Sequence, residues 1–555
     1  MTDEVSGVAA APGVAIAAPW VYRPTLTGAG RVASLEEASS ASAADLERLA
    51  DRLREEGRGD EAAIFEAQAL MATDEELIGL ARARVAEGED VTTSMLAAGE
   101  AVAATFEALD DELLAARAAD VRDVAARIVR HITGGEAPSL SRRSIVVAID
   151  LAPSVTVELD RDLLAGIALE GGSRTSHAAI LARALGIPAV VGVPDLVERA
   201  VPVGEMGIDG GSGRVVLDPD RDARARLEVA AAADAAVCVA DEAFRDRVLA
   251  TSDGHRVLCF ANIGEPSEAA AAFAGGAEGI GLFRTEFAFA GRRAPPTEEE
   301  QADAYETVFR AAGAAPVVVR LADIGGDKPL PYLTMEPEAN PFLGVRAIRL
   351  AGRFPDLFAT QVRAILRASE RAGRSASIMA PMVADLGDVA FLRALVQEAR
   401  AALPHAPAPR VGIMVEIPSA VMLADQLVEM IDFMSIGTND LTQYLLAVDR
   451  TNPALAARQD AVHPAVLRAV ARVTDAARSS SNGCEVAVCG EMAGDPAGAV
   501  LLVGLGVDEL SMGSESFGLV KRAVGARSHE DLRSLAQRAV ALRSAAEVRE
   551  LVDDA

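Results

Sequence analysis

The chain has 555 residues, more than one hydrophobic core normally holds, so two or three domains are expected. Half of the residues are apolar and 24% are charged, which excludes a disordered or fibrous protein. Lys and Arg total 53 against 82 Asp and Glu. The resulting net charge of −29 argues against binding to nucleic acid or an anionic membrane surface and suits a basic protein partner, although simple solubility explains it equally well.

Cysteine usage and the first residues indicate the cellular compartment. Four cysteines without a CxxC pair predict neither a disulfide framework nor a zinc site. Asp3 and Glu4 stand where a signal peptide carries basic residues, and no segment reaches the roughly 20 uninterrupted apolar residues of a membrane-spanning helix. We therefore expect a cytoplasmic protein without membrane insertion.

The first part of the chain predicts a small α/β domain with a helical insertion. Strand patterns occur at 14–21, 144–150, 166–170, 188–193 and 213–218. Residues 34–134 instead predict four helices with short connections, starting at a capping box of Ser34 and Glu37. The predicted boundaries are 1–24 and 142–220 for the α/β domain, 25–141 for the helical subdomain and 221–250 for a linker helix.

Residues 251–555 contain eight short apolar runs that alternate with helical stretches. The runs are 257–263, 279–283, 316–321, 377–382, 411–417, 433–437, 485–489 and 508–512. Eight β-then-α units predict a closed (β/α)8 barrel, although an open doubly wound sheet has the same periodicity. The barrel is favoured because polar side chains end most runs, and barrel active sites gather at the carboxyl ends of the strands. These side chains are Asn262, Arg284, Arg320, Glu416, Asn439, Asp440, Cys489 and Ser511.

His177 lies in the segment GGSRTSHAAILARALGIPAVVG, directly after Thr175 and Ser176, which can cap a helix. A phosphoryl group on an imidazole at that position would face free backbone N–H groups and the positive end of the helix dipole. Taken alone, the segment is explained more simply as a helix-capping turn with an incidental histidine.

Carboxylates and arginines occur in complementary numbers around the predicted barrel mouth. Glu416 in MVEIP and Asp440 in SIGTNDLTQY offer oxygen ligands to a divalent cation, and magnesium commonly takes one or two carboxylates beside water and substrate. Forked guanidinium hydrogen bonds suit a phosphate and a carboxylate. The candidates are Arg284, Arg320, Arg346 and Arg450. Each residue singly is explained more simply as a surface, ion-pair or loop residue, but their shared position at strand ends favours a site.

Cys489 closes the run in VAVCGEMAG. Buried cysteines are commonly inert, and we interpret Cys238 and Cys259 in that way. At a barrel mouth, a thiol with an ordinary pKa of about 8.5 is protonated at neutral pH and can act as a general acid.

The strings GLFRTEF, DIGGDK, NPFLGVRAIR, SIGTNDLTQY, AVDR and CGEMAG, with the His177 segment, resemble Enzyme I of the bacterial phosphotransferase system across the whole chain. The resemblance implies that His177 accepts a phosphoryl group from phosphoenolpyruvate, releasing pyruvate, and passes it to the histidine phosphocarrier protein of sugar transport. It also implies Mg²⁺ on Glu416 and Asp440, Cys489 as proton donor to the enolate, and a homodimer formed through the barrel. The implied substrate contacts are Arg284, Arg320, Arg346, Asn439, Asp440 and Arg450.

The helical insertion resembles the Enzyme I subdomain that docks the carrier, through AIFEAQALMATDEEL and RAADVRDVAARIVRHI. Its acidic residues Glu66, Asp74, Glu75 and Glu76 would face a basic carrier, although a solvated helix face has the same pattern. Ser173 departs from the family pattern because it replaces the second glycine before the histidine. A positive φ there would cost some backbone strain.

Two other functions compete with this interpretation. A dikinase or synthase that forms phosphoenolpyruvate with ATP shares the phosphohistidine and barrel domains, but it needs a nucleotide-binding domain, and the 555 residues contain no Walker loop. A non-catalytic sensor of the same fold would only dock partners. The presence of His177, Cys489, Glu416 and Asp440 argues against it.

Overall fold

The computed structural model describes residues 3–23, 34–55, 59–107, 112–135, 137–172, 176–290, 292–326, 330–336, 338–450, 452, 455 and 458–555. Two compact units divide the chain, Met1–Val237 and Cys238–Ala555. Within the described ranges, each helix is too short or too polar to cross a lipid bilayer.

An eight-stranded mixed sheet forms the centre of the first unit. Its strands are β1 (Asp3–Ser6), β2 (Val8–Ala11), β3 (Val14–Val21), β4 (Ser144–Ala148), β5 (Leu164–Leu169), β6 (Ala189–Val191), β7 (Met206–Asp209) and β8 (Arg214–Leu217). The order is β1-β8-β7-β3-β4-β5-β6-β2, with β3 to β6 parallel and the other pairings antiparallel. The sequence pattern missed β1, β2 and β7, each of which has four residues.

The insertion between β3 and β4 contains five described helices, one more than the four predicted. They are α1 (Leu35–Glu55), α2 (Gly59–Ala72), α3 (Glu75–Ala86), α4 (Val91–Glu107) and α5 (Glu112–Thr133). The stretch 64–80 holds the end of α2 and the start of α3, which are divided at Asp74, whose side chain accepts the backbone N–H groups of Glu76 and Leu77 at 2.8 and 3.3 Å. An aspartate that satisfies these free N–H groups starts a new helix.

Three short helices pack within the sheet domain, and one long helix follows it. They are α6 (Pro153–Glu158), α7 (His177–Ala184), α8 (Leu196–Ala200) and α9 (Arg221–Arg245). The N-cap of α7 is Ser176, one of the two residues that the sequence pattern names as able to cap this helix.

The second unit is a closed barrel of eight parallel strands, which confirms the predicted barrel over the open sheet. The strands are β9 (Leu258–Ile263), β10 (Ile280–Phe283), β11 (Val317–Arg320), β12 (Ser377–Ala380), β13 (Arg410–Val415), β14 (Phe433–Ile436), β15 (Glu485–Val488) and β16 (Glu509–Met512). Because β9 pairs with both β10 and β16, the ring has no free edge.

Helices surround the barrel, and one set of apolar side chains fills it. The helices are α10 (Glu268–Ala274), α11 (Glu298–Ala312), α12 (Ile348–Ala351), α13 (Pro355–Ala372), α14 (Leu386–Ala402), α15 (Pro418–Met422), α16 (Ala424–Leu427), α17 (Thr438–Leu446), α18 (Pro464–Ser479), α19 (Pro496–Gly504), α20 (Phe517–Gly525), α21 (His529–Val540) and α22 (Ala545–Asp553). The interior cluster is Leu282, Val318, Met379, Met414, Phe433 and Cys489. Residues at alternate strand positions pack outward against the helices, as the two-residue period of a strand requires.

Candidate active site

The seam where the barrel closes is tied by side chains at the carboxyl ends of β9, β15 and β16. Asn262 donates from Nδ2 to the backbone oxygens of Cys489 at 3.0 Å and Ser511 at 3.1 Å. Ser511 Oγ donates in return to Asn262 Oδ1 at 2.7 Å. These bonds hold the backbone of Cys489 in place at the barrel mouth.

Arg320 ends β11 inside the mouth and lies between two carboxylates. Its Nη2 forms an ion pair with Glu286, and its Nη1 lies 3.7 Å from Asp323 Oδ2. The Thr285 hydroxyl donates to the backbone oxygen of Arg320 at 2.9 Å. The two acidic groups therefore compensate the charge of Arg320, a residue that is only 7% exposed.

Arg346 is fully buried and pairs with carboxylates from two other segments. It donates from Nε and Nη2 to the two oxygens of Asp323, at 3.0 and 2.7 Å, and its Nη2 lies 3.4 Å from Asp440 Oδ2. Gly325 and Gly326 make this approach possible, because both have positive φ and a side chain on either would collide with the segment leading to Arg346. The two glycines of the DIGGDK string thus allow close packing beside Arg346.

Arg450 continues the alternation of charge from the loop after α17. Its Nη1 lies 3.5 Å from Asp440 Oδ1, and its guanidinium carbon lies 5.5 Å from the centre of the Phe342 ring. Basic and acidic groups alternate along one continuous network. Its members in order are Glu286, Arg320, Asp323, Arg346, Asp440 and Arg450.

Glu416 follows β13 and is buried beside this network. Its Oε1 accepts the backbone N–H of Met382 at 2.5 Å. Burial, followed by the negative charges of Asp440 and Asp323, raises the pKa of the Glu416 carboxyl, and Arg320 opposes the rise. A nearby positive charge would therefore stabilise the ionised form of the Glu416 carboxylate.

The donor set around Glu416 and Asp440 fits a hard divalent cation that keeps several water or substrate ligands. Asp440 Oδ1 is buried and accepts no hydrogen bond, although Arg450 approaches it. The described residues contain no cluster of three or more His, Cys, Asp or Glu side chains that could enclose a metal. Two carboxylates suit magnesium, which seldom uses an all-protein cage.

Cys489 Sγ faces the barrel interior at the top of its apolar cluster, 3.8 Å from the backbone oxygen of Ile436. Burial is the largest influence and raises the pKa of the thiol to about 11, so the ordinary value of about 8.5 assumed from the sequence is too low. The thiol is therefore protonated at neutral pH, which is the form that a proton donor needs.

Arg284 and Asn439 lie at the same mouth but are engaged differently. Arg284 follows β10 with an exposed side chain that has no hydrogen-bond or ion-pair partner within the described part of the chain. Asn439 donates from Nδ2 to Glu491 Oε1 at 3.1 Å and accepts the Glu491 N–H at 2.9 Å, which joins the start of α17 to the turn after β15. Arg284 is therefore available to a ligand, whereas Asn439 also has a structural task.

The histidine segment belongs to the first unit. His177 is the first residue of α7, as predicted, but its imidazole and Ser173 lie outside the described part of the chain. Lys328 of DIGGDK also lies outside it. An acceptor role for His177 therefore depends on sequence and relatives, not on side-chain geometry.

The four acidic residues proposed for docking include three with partners inside the subdomain. Glu66 forms an ion pair with Arg54, Asp74 caps α3, and Glu75 lies 2.9 Å from Arg82. Glu76 is exposed, and its side chain has no partner among the described residues. Part of the acidic pattern therefore stabilises the helices themselves.

Sequence reasoning missed Glu286, Asp323 and Gln361, which support the arginines. Gln361 accepts the Ala322 N–H at 3.0 Å and donates to Thr285 Oγ1 at 2.9 Å, beneath Arg320. A signal for the two acidic residues existed, since Glu286 lies in GLFRTEF and Asp323 follows Arg320 by three positions. No comparable signal marks Gln361, which lies within α13.

Known families match the chain in three consecutive segments. They are the PEP-utilising enzyme N-terminal domain over residues 6–117, the mobile domain over 140–213 and the PEP-binding domain over 240–529. The last segment alone covers more than half of the chain.

Curated relatives match over nearly the full length. The phosphoenolpyruvate-protein phosphotransferase of Staphylococcus carnosus is 38% identical over 100% of this chain and 99% of its own, and that of Geobacillus stearothermophilus is 39% identical over 98% and 96%. A multiphosphoryl transfer protein of Rhodobacter capsulatus is 42% identical over 91% of this chain, which spans 61% of that relative. Among solved structures, an NMR structure of Enzyme I (nEIt) is 30% identical, covers 42% of this chain and 99% of its own, and has a TM-score of 0.35. From the family segments and the full-length relatives, the chain belongs to the PEP-utilising enzymes as a phosphoenolpyruvate-protein phosphotransferase of the Enzyme I family.

Proposed function

We propose that the protein transfers the phosphoryl group of phosphoenolpyruvate to His177 and then to a histidine phosphocarrier protein, as the first step of a cytoplasmic sugar phosphotransferase relay. The observation that carries this proposal is the network of alternating arginines and carboxylates at the barrel mouth, beside a protonated buried thiol. Such a network is pre-organised to receive a small, multiply charged anion.

The arginines suit the two anionic ends of phosphoenolpyruvate. Arg284 is exposed and Arg450 is half-buried, so both can turn towards a phosphate or a carboxylate. Arg320 and Arg346 are held by carboxylates and can act without reorganising. Asn439, at the start of α17, adds an amide group at the barrel mouth. Together they neutralise charge that spreads over the phosphoryl oxygens during transfer.

Glu416 and Asp440 would hold Mg²⁺. The raised pKa of Glu416 shows that its ionised form lacks a fully compensating positive charge, and Asp440 has a buried oxygen, Oδ1, that accepts no hydrogen bond. When bound, the ion supplies positive charge to the phosphate and carboxylate oxygens of the substrate. The surrounding residues keep both carboxylates oriented, through the Met382 N–H for Glu416 and through Arg346 for Asp440.

The transfer breaks the bond between phosphorus and the enol oxygen and forms a bond from phosphorus to an imidazole nitrogen of His177. The enolate that remains takes a proton on carbon from the Cys489 thiol, giving pyruvate, and the thiolate recovers a proton from solvent. The phosphohistidine then gives its phosphoryl group to the carrier histidine. Glu66, Asp74, Glu75 and Glu76 contribute negative charge towards a basic carrier, and the barrel supports a homodimer, as the resemblance to Enzyme I implies.

The decisive experiment incubates the protein with labelled phosphoenolpyruvate and Mg²⁺ without any nucleotide. We expect one phosphoryl group per chain, labile in acid as a phosphohistidine is, and its transfer to the phosphocarrier when that protein is added. An ATP requirement would support a dikinase instead. The absence of labelling under both conditions would support the sensor.

A further inference from the structure

The guanidinium of Arg320 has one firm anchor. Its Nη2 is paired with Glu286 Oε1. Among the described residues, its Nη1 donates to Met414 Sδ at 3.8 Å, a weak sulfur acceptor, and lies 3.7 Å from Asp323 Oδ2, beyond an ordinary N–H···O distance. Because thioether sulfur is a weak acceptor and Nη1 carries two N–H groups, Nη1 can still donate to a ligand.

Asp323 cannot serve as the anchor, because Arg346 uses both of its oxygens. The two Arg346 hydrogen bonds, at 3.0 and 2.7 Å, form a bidentate pair that is stronger than the longer approach of Arg320. Asp323 therefore belongs mainly to Arg346. Glu286 is left as the group that determines where Arg320 points.

Glu286 is itself fixed by the backbone. The oxygen that pairs with Arg320 also accepts the N–H of Asp323 at 3.0 Å, and the carboxylate is only 12% exposed. Glu286 lies in the short turn after β10, whereas Arg320 ends the neighbouring strand β11. Through one carboxylate oxygen, the ion pair thus joins the C-terminal ends of the neighbouring strands β10 and β11.

We propose that Glu286 is a positioning residue for substrate binding: it holds Nη2 of Arg320 so that Nη1 points at a phosphate oxygen of the substrate. This inference rests on the proposed function, since it assumes that Arg320 contacts phosphoenolpyruvate. Without the anchor, the long and flexible arginine side chain samples several rotamers, and binding must order it again. The role depends on the reach of the side chain and on its acceptor oxygen more than on its charge.

The test measures pyruvate formation at a series of phosphoenolpyruvate concentrations, with Mg²⁺ and excess phosphocarrier, for Glu286→Ala, Glu286→Gln and Glu286→Asp. We expect KM to rise about 10- to 100-fold in Glu286→Ala, the range for a lost charge-assisted hydrogen bond. In Glu286→Gln, the side-chain amide oxygen lies at the same distance from the backbone and can still accept the Arg320 hydrogen bond. This variant should therefore have a KM much closer to that of the wild type than Glu286→Ala has. The aspartate keeps the charge but is too short, and should resemble the alanine variant.

Glu278 provides a matched control at the opposite end of the barrel. Like Glu286, it pairs with an arginine, Arg256, and accepts a backbone N–H, that of Cys259 at 3.1 Å. Because it precedes β10, it lies away from the mouth, and Glu278→Ala should leave KM unchanged. Thermal unfolding of every variant separates loss of folded protein, which lowers apparent kcat, from loss of positioning, which raises KM.

A double-mutant cycle shows whether Glu286 acts through Arg320. If it does, adding Glu286→Ala to Arg320→Ala should not raise KM further. An unchanged KM in Glu286→Ala, a glutamine variant as weak as alanine, or independent effects in the cycle would each overturn the proposal. Failure of the wild-type protein to react at all would instead contradict the proposed function.

Discussion

The barrel mouth and the helical insertion both contain clustered acidic and basic residues, but they hold these charges in opposite ways. At the mouth, Asp323 and Arg346 are at most 1% exposed and each contacts several partners. In the insertion, the carboxylate of Glu75 is 81% exposed and its partner Arg82 is 49% exposed. Buried charges must be paired to offset the cost of removing them from water, whereas exposed pairs are solvated and weak.

The difference indicates separate tasks for the two regions. A rigid buried network suits the binding of a small anion, because its charges need no rearrangement when the reaction begins. Exposed charges suit a protein partner that binds and leaves, because they steer its approach without holding it tightly.

Substitution of His177 should abolish acceptance of the phosphoryl group without affecting the binding of phosphoenolpyruvate. His177→Ala should accept no phosphoryl group from phosphoenolpyruvate, yet bind it with Mg²⁺ as the wild type does, because the network lies in the other unit. Labelling measures the first property and calorimetry the second. His405, an exposed histidine between α14 and β13, provides the control variant His405→Ala, which should remain labelled. Incorporation of label into His177→Ala would exclude His177 as the acceptor.

Loss of the Cys489 thiol should slow pyruvate formation by about 10²–10⁴-fold while leaving substrate binding nearly intact, as for a general acid. Cys259→Ala removes another buried thiol, one whose pKa burial raises to about 12, and should have little effect on the rate. Single-turnover formation of pyruvate is the measurement. Normal turnover in Cys489→Ala would make Cys489 an inert core residue.

The raised pKa of Cys489 predicts the pH dependence of this step. A general acid is active below its pKa, and burial places that pKa at about 11. Pyruvate formation should therefore not lose its proton donor between pH 7 and 9, where a thiol with an ordinary pKa of about 8.5 ionises. A fall in the single-turnover rate of the wild type across this range, absent in Cys489→Ala, would contradict the burial argument.

Removal of the buried arginine should destabilise the barrel strongly. Arg346→Met leaves Asp323 and Asp440 without their shared partner and should lower the free energy of unfolding by about 3–5 kcal/mol, the range for breaking a buried ion pair. Urea denaturation followed on the barrel transition provides the measurement. The exposed pair gives the comparison, since Arg82→Met should change stability little. Equal effects in the two variants would remove the distinction between the regions.

The smallest effect is expected at the surface of the insertion. Glu76→Gln should weaken phosphocarrier binding about two- to fivefold at low salt, and more than Glu75→Gln, whose charge is already partly neutralised by Arg82. The difference should shrink as ionic strength rises, because exposed charges are screened. Titrations at two salt concentrations measure it. A larger effect for Glu75→Gln would show that the Arg82 pair does not shield Glu75.

The sequence alone determined the barrel, its eight strands and the residues that end them. Buried parallel strands form short apolar runs, and a polar residue after such a run lies at the mouth of any closed barrel. Arg320, Glu416, Asp440 and Cys489 could therefore be assigned to one end of the fold before the structure was known. The start of α7 at His177 could be predicted for a similar reason, since helix capping is local in sequence.

Which charges are paired, and which are available to a ligand, depends on contacts between distant segments that the sequence does not reveal. Arg346 and Asp440 are 94 residues apart, and nothing in their spacing predicts that they meet. Their contact depends on closure of the ring and on the close approach at Gly325 and Gly326. The same is true of the anchor from Glu286 and of the pKa of Cys489, because burial and neighbouring charges arise from packing between distant segments.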